Sequence, residues 1–397
     1  MWTHLLKLPI ALGLASSASG APLAVEFKGS TALGTSAIDQ NSVGFTVAGL
    51  SGLARVSGER YVAVMDNSNK LVFVDIAIGA DGSISTASIP LGIGGGRALA
   101  DVRDFEDVVF TGVARDRVLL AEEGSPEVRV YTVTSGAFVS AIDRPAIFAS
   151  RRANFGFESL SLDRTHSRMW TCNEEALTVD GSQSTSAAGT LVRLLKYDFT
   201  SEAPSALAQF AYLTEPIHGA VISGARSGVS QVLALPNGKL LVLERSFALG
   251  ATFFQTRIYE VDISGATDVS AFGSLIGSTY TRATKRLLYK GDQTNLEGLC
   301  LGPALSSGGY ALLGIVDDGD PISVNRVVAF RLTGDVDSVC PADLNSDGVV
   351  DDADFVRFSQ SYDLLLDPVG DLNLDEMADD NDFVLFAAAY NELLCSP

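Results

Sequence analysis

Histidine, cysteine and tryptophan are scarce in this sequence, and basic residues are outnumbered by acidic ones. The 397 residues include three His, four Cys and two Trp, with 48 Asp and Glu against 28 Lys and Arg. Because His4, His166 and His218 are scattered along the chain, the sequence predicts no histidine-based zinc site. Nucleic acid is not an expected partner, since phosphate contacts require clustered Lys and Arg. The lack of a G-x-S-x-G motif argues against a serine hydrolase.

Long apolar segments are lacking as well, so we expect no membrane span. The N-terminus combines Lys7, a short apolar run from Leu8 to Ala15, and small residues. This order is typical of a secretory signal peptide, with cleavage expected after Ala18-Ser19-Gly20. An ordinary first helix or strand is the alternative. The sequence therefore predicts a secreted protein, extracellular or at the cell surface.

Charge divides the remaining chain near Cys340. From this residue to Pro397 there are fourteen acidic residues and one basic residue, Arg357. The predicted organisation is a signal peptide at residues 1–20, a body at 21–338 and an acidic tail at 339–397. Four cysteines, an even number, are compatible with disulfides in an exported protein.

The tail contains one pattern twice. DLNSDGVVDDADFVRFSQSYDLLL begins at Asp343, and DLNLDEMADDNDFVLFAAAYNELL begins at Asp371, 28 residues later. Each copy spaces its oxygen-bearing groups so that a Ca²⁺ ion could collect the roughly six to eight oxygen ligands it prefers. The predicted ligands are Asp343, Asn345, Asp347, the Val349 carbonyl, Asp351 and Asp354 in the first loop, and Asp371, Asn373, Asp375, the Met377 carbonyl, Asp379 and Asp382 in the second. An amphipathic segment follows each loop and predicts a helix.

This duplicated loop-helix unit resembles a type I dockerin of the bacterial kind that is bracketed by two cysteines. The resemblance covers residues 340–397. It implies that Cys340 and Cys395 clasp the two ends of the tail. It also implies that the tail attaches the protein to a cohesin-like or cell-surface partner.

Two features of the tail depart from the dockerin pattern. Glu376 stands at the loop position that Gly348 occupies in the first copy, where a left-handed backbone favours glycine. We therefore expect the second loop to bind calcium more weakly. Dockerins commonly carry Ser-Thr-like pairs at loop positions 10 and 11, but here these are Asp352-Ala353 and Asp380-Asn381, which leaves the partner open.

The body repeats a different pattern five times. The repeats begin with GLSGLARV at Gly49, DFEDVVFT at Asp104, GFESLSLD at Gly156, GVSQVLAL at Gly228 and NLEGLCLG at Asn295. Each consists of two short apolar runs around a turn and a third run, such as KLVFVDI, which predicts three strands. Such repeats predict an all-β fold, a five- or six-bladed β-propeller, followed by the small α-helical tail. A sixth blade could occupy residues 246–290, and the strand PLAVEFKG is expected to complete the last blade.

Acidic residues recur at equivalent positions of these repeats. They are Glu106, Glu158 and Glu297 on first strands, and Asp66, Glu123, Glu174, Glu244 and Asp317 or Asp318 on second strands. The innermost strands of a propeller line its central channel, so we expect these side chains to converge there. Crowded carboxylates remain ionised most readily beside a cation, and Arg245, next to Glu244, could bind a phosphate. The alternative is that the acids only make hydrogen bonds between blades.

The body also resembles the phytase-like family, which is described by an esterase-like activity of phytase. The matching segments are AGLSGLA, DFEDV, NFGFESL, LALPNGKLLVLER, NLEGLCLG and IVDDGD, which span about residues 45 to 332. The resemblance implies a secreted β-propeller whose Glu and Asp residues serve phosphoester hydrolysis. Asp107 and Ser159 stand where the family has glycine, and we expect them to narrow the mouth of the channel.

The leading hypothesis is a secreted, calcium-dependent phosphoesterase that acts on a small phosphate ester. The candidate catalytic residues are Glu158, Glu244, Arg245 and Glu297, and the candidate calcium-binding residues of the channel are Glu106, Glu123, Asp317 and Asp318. Calcium would polarise a phosphoryl oxygen, Arg245 would stabilise the developing charge, and a remaining carboxylate would act as general base.

Two other functions fit an acidic channel. One is a propeller that binds a protein or glycan at the cell surface without catalysis, and the other is a calcium-dependent lactonase, which has no need of Arg245. Cys172 and Cys300 fall in strands of different blades, where either a disulfide or two buried thiols would be compatible with the sequence.

Overall fold

The computed structural model describes residues 20–111, 116–201, 203–320, 322–338, 340–365, 367–374 and 377–392. Apart from Gly20, the predicted signal peptide lies outside the described residues. The same is true of Asp375 and Glu376 in the second tail loop, and of Cys395.

Five antiparallel sheets make up most of the described chain. The first strand, β1 (Ala24–Ala32), is followed by a hairpin of β2 (Ser36–Ile38) and β3 (Gly44–Thr46). Blade 1 contains β4 (Leu50–Ser57), β5 (Arg60–Met65), β6 (Ser68–Ile78), β7 (Ile84–Ser88) and β8 (Gly96–Arg103). Blade 2 contains β9 (Phe105–Thr111), β10 (Arg117–Glu122), β11 (Glu127–Thr132) and β12 (Phe138–Ile142).

The remaining three blades follow the same plan. Blade 3 contains β13 (Phe157–Leu162), β14 (Arg168–Asn173), β15 (Leu191–Asp198) and β16 (Ser205–Leu213). Blade 4 contains β17 (Arg226–Ala234), β18 (Leu240–Phe247), β19 (Phe254–Asp262) and β20 (Thr284–Gly291). Blade 5 contains β21 (Leu296–Ala304), β22 (Tyr310–Val316), β23 (Arg326–Thr333) and, at its outer edge, β1.

The five sheets form a closed five-bladed β-propeller. The innermost strands β4, β9, β13, β17 and β21 pack side by side around a ring, and β21 meets β4. The N-terminal strand closes this ring, because β1 pairs with β23 and places Phe27 opposite Phe330. Both the propeller and the closing role of this strand were predicted from the sequence, and the structure confirms them.

Apolar side chains between neighbouring blades form the core. One buried cluster lies at each of the five blade-to-blade contacts within the described chain. Strand β5 shows why apolar and polar residues do not alternate regularly along these strands. Tyr61, Val62, Ala63 and Val64 are all fully buried, because another blade covers each face of the sheet. Burial on both faces removes the reason for polar residues at every second position.

A sixth blade does not form in residues 246–290. Strands β19 and β20 use this stretch as the third and fourth strands of blade 4. The segment between them packs against blade 3 instead, where Val269 and Leu275 join Ala211 in a small apolar cluster. Of the two predicted blade numbers, the structure has five.

The two cysteines of the body are buried thiols and not a disulfide. Cys172 on β14 lies in the cluster between blades 3 and 4, whereas Cys300 on β21 lies in the cluster between blades 1 and 5. Since a disulfide requires Cα atoms closer than about 7 Å, these positions on separate interfaces do not form one.

The tail contains two helices, α1 (Asp352–Tyr362) and α2 (Asp380–Glu392). They pack through Phe358 and Phe386, whose rings stack with centroids 4.8 Å apart. Tyr362 of α1 donates a hydrogen bond to Asp380, and Tyr390 of α2 donates one to Asp352, so each helix contacts the first turn of the other. No helix in the described part of the chain is long and apolar enough to cross a membrane.

Candidate functional site

An acidic cavity of about 270 Å³ opens at one end of the ring, where the innermost strands begin. Its lining residues are Ser51, Asp66, Asn67, Asp104, Glu106, Glu123, Asn154, Glu158, Glu174, Arg226, Arg245, Glu297 and Asp317. Eight of these carry carboxyl groups and two carry guanidinium groups, so the cavity has a large formal negative charge. The predicted convergence of acids from several blades is therefore present in the structure.

β-Bulges on the innermost strands place one group of these side chains. In blade 3, Phe157 pairs with Asn173 and Ser159 with Cys172, which leaves Glu158 as the extra residue. The same irregularity leaves Glu106 extra in blade 2 and Glu297 extra in blade 5. A bulge re-aims the side chain of the extra residue. The third residue of the repeat thus turns toward the cavity in blades 2, 3 and 5.

The ends of the second strands supply another group. Asp66, Glu123, Glu174 and Asp317 each come directly after a second strand, at β5, β10, β14 and β22 respectively. Backbone hydrogen bonds fix three of them: the amide nitrogens of Asp66, Glu123 and Asp317 donate to the carbonyls of Gly49, Asp104 and Asn295. These carboxylates therefore enter the cavity from blades 1, 2, 3 and 5.

Within the described residues, two sets of three carboxylates are close enough to share a metal ion. One set is Asp66, Asp104 and Glu106, which are partly buried. The other is Glu123, Glu158 and Glu174, which are all buried. In each set the carboxylate oxygens lie within 4.8 Å of one another. Like charges this close repel strongly unless a proton or a cation compensates them.

Burial and mutual repulsion raise the pKa of several cavity carboxyl groups. Burial, followed by the hydrogen bond with Asp104, raises the pKa of Asp66 to about 7. Burial, followed by the charge of Glu174, raises the pKa of Glu123 to about 8. Burial is also the main cause that raises the pKa of Glu158 well above its ordinary value, and Glu174 is again the next. Without a cation, the cavity therefore retains protons at neutral pH.

Arg245 compensates part of the negative charge. This side chain is 3% exposed, and its guanidinium contacts Glu174 at 3.0 Å, Glu158 at 3.8 Å, and Glu297. It also donates to the Asn295 side chain at 2.8 Å. With carboxylates on two sides, Arg245 fixes their positions and leaves little of its own surface for a ligand.

Arg226 is more accessible and was missed by the sequence analysis. Its Nε lies 3.2 Å from Glu174, and its side chain is 38% exposed. The charge of Glu174 raises the pKa of Arg226, so the guanidinium stays positive. It is the cavity's better-placed group for an anionic ligand. Nothing in the sequence indicated this residue, since the other repeats have no arginine at the position of Arg226, the first residue of β17.

Asp104 was also missed, although a signal for it was present. It precedes Glu106 by two residues at the start of β9, and alternation along a strand places such residues on one side. Asp104 and Glu106 both line the cavity and belong to one carboxylate set. The DFED segment thus contributes its first two acids, Asp104 and Glu106, to the same site.

Glu244 and Asp318 do not line the cavity, and their predicted placement was wrong. Glu244 is fully buried on the other side of β18, where it accepts hydrogen bonds from the Tyr212 hydroxyl at 2.6 Å and from Lys285 at 2.8 Å. Asp318 accepts from the Gly49 amide at 2.7 Å and from the Asn325 side chain at 3.0 Å. Both residues therefore hold neighbouring segments together.

Asp107 and Ser159 are buried, and neither lines the cavity mouth as expected. Asp107 instead spans the inside of the ring, where it accepts from the Leu160 amide at 2.5 Å and from Gln231 at 2.7 Å. Burial raises the pKa of Asp107 to about 7. A side chain at Gly52 would collide with Asp107, since its Cβ would lie 1.8 Å from Oδ1.

One carboxylate in each predicted calcium loop of the tail is held in the same way. Asp354 accepts hydrogen bonds from the amides of Leu344, Asn345 and Asp351. Asp382 repeats this pattern with the amides of Leu372, Asn373 and Asp379. Three further predicted ligands of the first loop, Asp343, Asn345 and Asp347, form hydrogen bonds within that loop.

The sequence matches the family model described as "Phytase-like: Esterase-like activity of phytase" over residues 46–320. No curated protein matches the chain. Among solved structures, hydrazine synthase of Kuenenia stuttgartiensis is 11% identical with a TM-score of 0.33, covering 74% of this chain and 66% of that one. The PQQ-bound aldose sugar dehydrogenase of Streptomyces coelicolor is 10% identical with a TM-score of 0.38, covering 79% of this chain and 99% of that one. A luciferin-regenerating enzyme is 11% identical with a TM-score of 0.35, covering 72% and 92%.

Proposed function

The chain belongs to the phytase-like family, and we propose that its acidic cavity is the active site of a calcium-dependent phosphoesterase. One observation carries the proposal: two sets of three carboxylates and two guanidinium groups share a single cavity of about 270 Å³. Carboxylate sets favour hard divalent cations, and guanidinium groups favour phosphoryl oxygens. Phosphoester hydrolysis is a reaction that uses both.

The residues present fit calcium. The two carboxylate sets offer only oxygen donors, which Ca²⁺ prefers over nitrogen or sulfur. Among the described residues, Glu158 Oε2 and Glu297 Oε2 are buried without a hydrogen-bond partner, and an unpartnered buried carboxylate oxygen is costly unless a cation contacts it. Glu123, Glu158 and Glu174 would hold one ion, and Asp66, Asp104 and Glu106 would hold another. Bound there, calcium would withdraw charge from a phosphoryl oxygen.

The chain's own residues divide the remaining work. Arg226, the more exposed of the two arginines, binds phosphoryl oxygens and orients the ester. Arg245 keeps Glu158, Glu174 and Glu297 in place through its contacts with all three. Glu297 lies outside both carboxylate sets, so it serves as general base and takes a proton from the attacking water. The water oxygen bonds to phosphorus while the bond to the leaving oxygen breaks. The electron pair of that bond goes to the leaving oxygen, which takes up a proton and departs as the alcohol.

Hydrolysis by the full chain tests this proposal. The panel contains phytate, an aryl phosphate, an aryl phosphodiester and a lactone, each assayed with calcium and with a chelator. We expect calcium-dependent phosphate release that Glu158→Gln and Glu297→Gln each lower by at least about 100-fold, a usual loss for an acid or base in hydrolysis. Glu59→Gln is the matched control. Glu59 is an exposed acid in the turn after β4, whereas the acidic cavity lies at the start of this strand.

The outcomes separate the possible functions. If both cavity variants retained wild-type hydrolysis, the site assignment would be wrong. Turnover of the lactone alone would favour a lactonase. A folded, calcium-loaded protein that hydrolyses nothing would instead point to a propeller that binds a protein or glycan without catalysis.

For the tail we propose a calcium-binding attachment module of the dockerin kind on an exported protein. The twofold loop geometry around Asp354 and Asp382 supports it, because equivalent backbone amides converge on equivalent carboxylates. Secretion would supply the millimolar calcium that such loops use outside cells. Secretion is checked by N-terminal sequencing of the exported protein: a chain that begins before Gly20 or stays inside the cell would contradict it.

A further inference from the structure

A second cavity of about 240 Å³ adjoins the acidic cavity and shares Arg226, Arg245, Glu297 and Asp317 with it. We call it the side cavity; its other lining residues are Gly224, Phe247, Phe254, Asn295, Gly319 and Asp320. The shared arginines stand between the two spaces. A molecule bound to Arg226 can therefore extend from one cavity into the other.

One wall of the side cavity is aromatic. Phe247 ends β18, and it pairs across the sheet with Phe254 at the start of β19, with ring centroids 5.2 Å apart. The ring of Phe253 stacks on Phe247 at 6.4 Å. Gly224 has a φ of +79°, and a Cβ there would come within 3.9 Å of the Phe247 ring. Glycine at this position places no side chain against the ring, and Phe247 is partly exposed.

Most of the remaining lining is polar. It contains the shared Arg226, Arg245, Glu297 and Asp317, together with Asn295 and Asp320. The Oδ1 atom of Asp320 accepts hydrogen bonds from the amides of Ile322 and Ser323. The side cavity is thus apolar on one side and charged on the other. Flat ligands with an anionic end fit such a space best, because the ring can pack on Phe247 while the anionic end stays on the Arg226 guanidinium group.

We propose that the side cavity binds an aromatic leaving group, so that the enzyme prefers esters of a single phosphoryl group with an aryl alcohol. The proposal rests on the proposed phosphoesterase function. The volume is sufficient, since an apolar cavity of about 150 Å³ already accommodates benzene. A phosphoryl group on Arg226 would place its aryl substituent against Phe247 and Phe254.

Charge argues against polyphosphorylated substrates at the same site. Even with a calcium ion on each carboxylate set, the ions and the two guanidinium groups do not balance the eight carboxylates that line the acidic cavity, so every additional phosphate on a substrate adds repulsion. An aryl ester with one phosphoryl group avoids this cost. It also gains the apolar contact that a hydrophilic polyol phosphate does not make with phenylalanine.

The test compares an aryl phosphate with glycerol phosphate in the full chain with calcium. We expect Phe247→Ala to lower kcat/KM for the aryl substrate by about tenfold, the size of a lost aromatic contact, and to leave glycerol phosphate nearly unchanged. Phe247→Leu keeps most of the volume and should show a smaller loss. Phe138→Ala is the control, because it removes a phenyl ring that is 43% exposed on the outer strand of blade 2.

A loss of equal size for both substrates, or no loss for either, would overturn the proposal, provided that the variant melts as the wild type does. If the wild type hydrolyses no ester, the proposed function fails, but the side cavity is still tested by calorimetry. Phenylphosphonate should then bind more tightly than methylphosphonate, and Phe247→Leu should reduce the difference. Equal affinity for the two phosphonates would reject the aromatic site independently of catalysis.

Discussion

Among single residues, Asp66 and Glu123 make the cavity sensitive to pH near neutrality. Their pKa values of about 7 and about 8 lie well above those of carboxyl groups in an unfolded chain. A carboxyl group whose pKa is raised by folding binds its proton more tightly in the folded state. Its contribution to stability is therefore present at low pH and is lost as pH rises through the folded value.

We therefore expect the protein in chelator to lose thermal stability between about pH 4 and about pH 8. Calcium should remove most of this loss, since the cation replaces the protons. The measurement is the Tm across this range, with and without calcium. Glu123→Gln should flatten the curve in chelator, because the amide carries no titrating proton. If the Tm in chelator rose steadily through this range, folding would not raise the pKa of these carboxyl groups.

Among the elements, the register of β18 determines which residue reaches the cavity. Arg245 pairs with Gly228, the first residue of the blade 4 repeat. In blades 1, 3 and 5 the corresponding residues are Asp66, Glu174 and Asp317, which come directly after the second strand. Because successive side chains on a strand point to opposite faces, Glu244 must face away from the cavity when Arg245 faces it. Blade 4 thus contributes an arginine where the other blades contribute acids.

This placement predicts that Glu244 stabilises the fold and takes no part in hydrolysis. Glu244→Gln should lower the free energy of unfolding by about 2 kcal/mol, because the buried carboxylate accepts charge-assisted hydrogen bonds that an amide only partly replaces, while kcat of the folded enzyme stays near the wild-type value. Glu215→Gln is the matched control: Glu215 contacts the same lysine at 2.9 Å but is 40% exposed, so we expect a loss below about 1 kcal/mol. Urea unfolding and phosphate release measure the two effects. Abolished hydrolysis in a stable Glu244→Gln variant would contradict this reading.

The sequence predicted the strands well because each repeat carries its own turn and apolar runs. It also identified Glu106, Glu158 and Glu297, whose shared position in the repeat is the bulge of the innermost strand. The sequence did not distinguish between adjacent candidate residues such as Glu244 and Arg245. Because β-bulges shift the strand register, spacing alone does not show which of two neighbours faces the cavity. Arg226 was missed because blade 4 alone has an arginine at this position.

In the whole molecule, the tail lies at the end of the ring opposite the acidic cavity. Arg164, in the turn between β13 and β14, donates to the carbonyls of Asp371 at 2.6 Å and Pro341 at 2.8 Å. Arg357 of α1 donates back to the Thr165 carbonyl at 2.7 Å. The acidic cavity lies where the innermost strands begin, and the tail contacts the face where they end. Attachment through the tail would therefore leave the proposed active site open to substrate.

Calcium binding by the tail is the remaining prediction at this scale. In the first loop the Asp343 carboxylate accepts from the amides of Asp347 and Gly348, and Gly348 takes a φ of +92° that only glycine adopts without strain. A loop already bent around Asp343 is prepared for a cation. Asp343→Ala in the full chain should lower calcium affinity at this loop by roughly tenfold or more, because a charged ligand is removed.

Calorimetric titration of the full chain with calcium measures the affinity of the loops. Calcium binding in the acidic cavity is the same in all variants, so the differences between them come from the tail. Asp371→Ala should produce the same loss at the second loop but from a weaker starting affinity, because Glu376 replaces the glycine there. Asp363→Ala is the control: this exposed acid caps the C-terminus of α1 outside both loops. If all three variants bound calcium as the wild type does, the loops would not be calcium sites. Attachment through a calcium-loaded tail would then have to be abandoned, whereas the cavity proposal would stand unchanged.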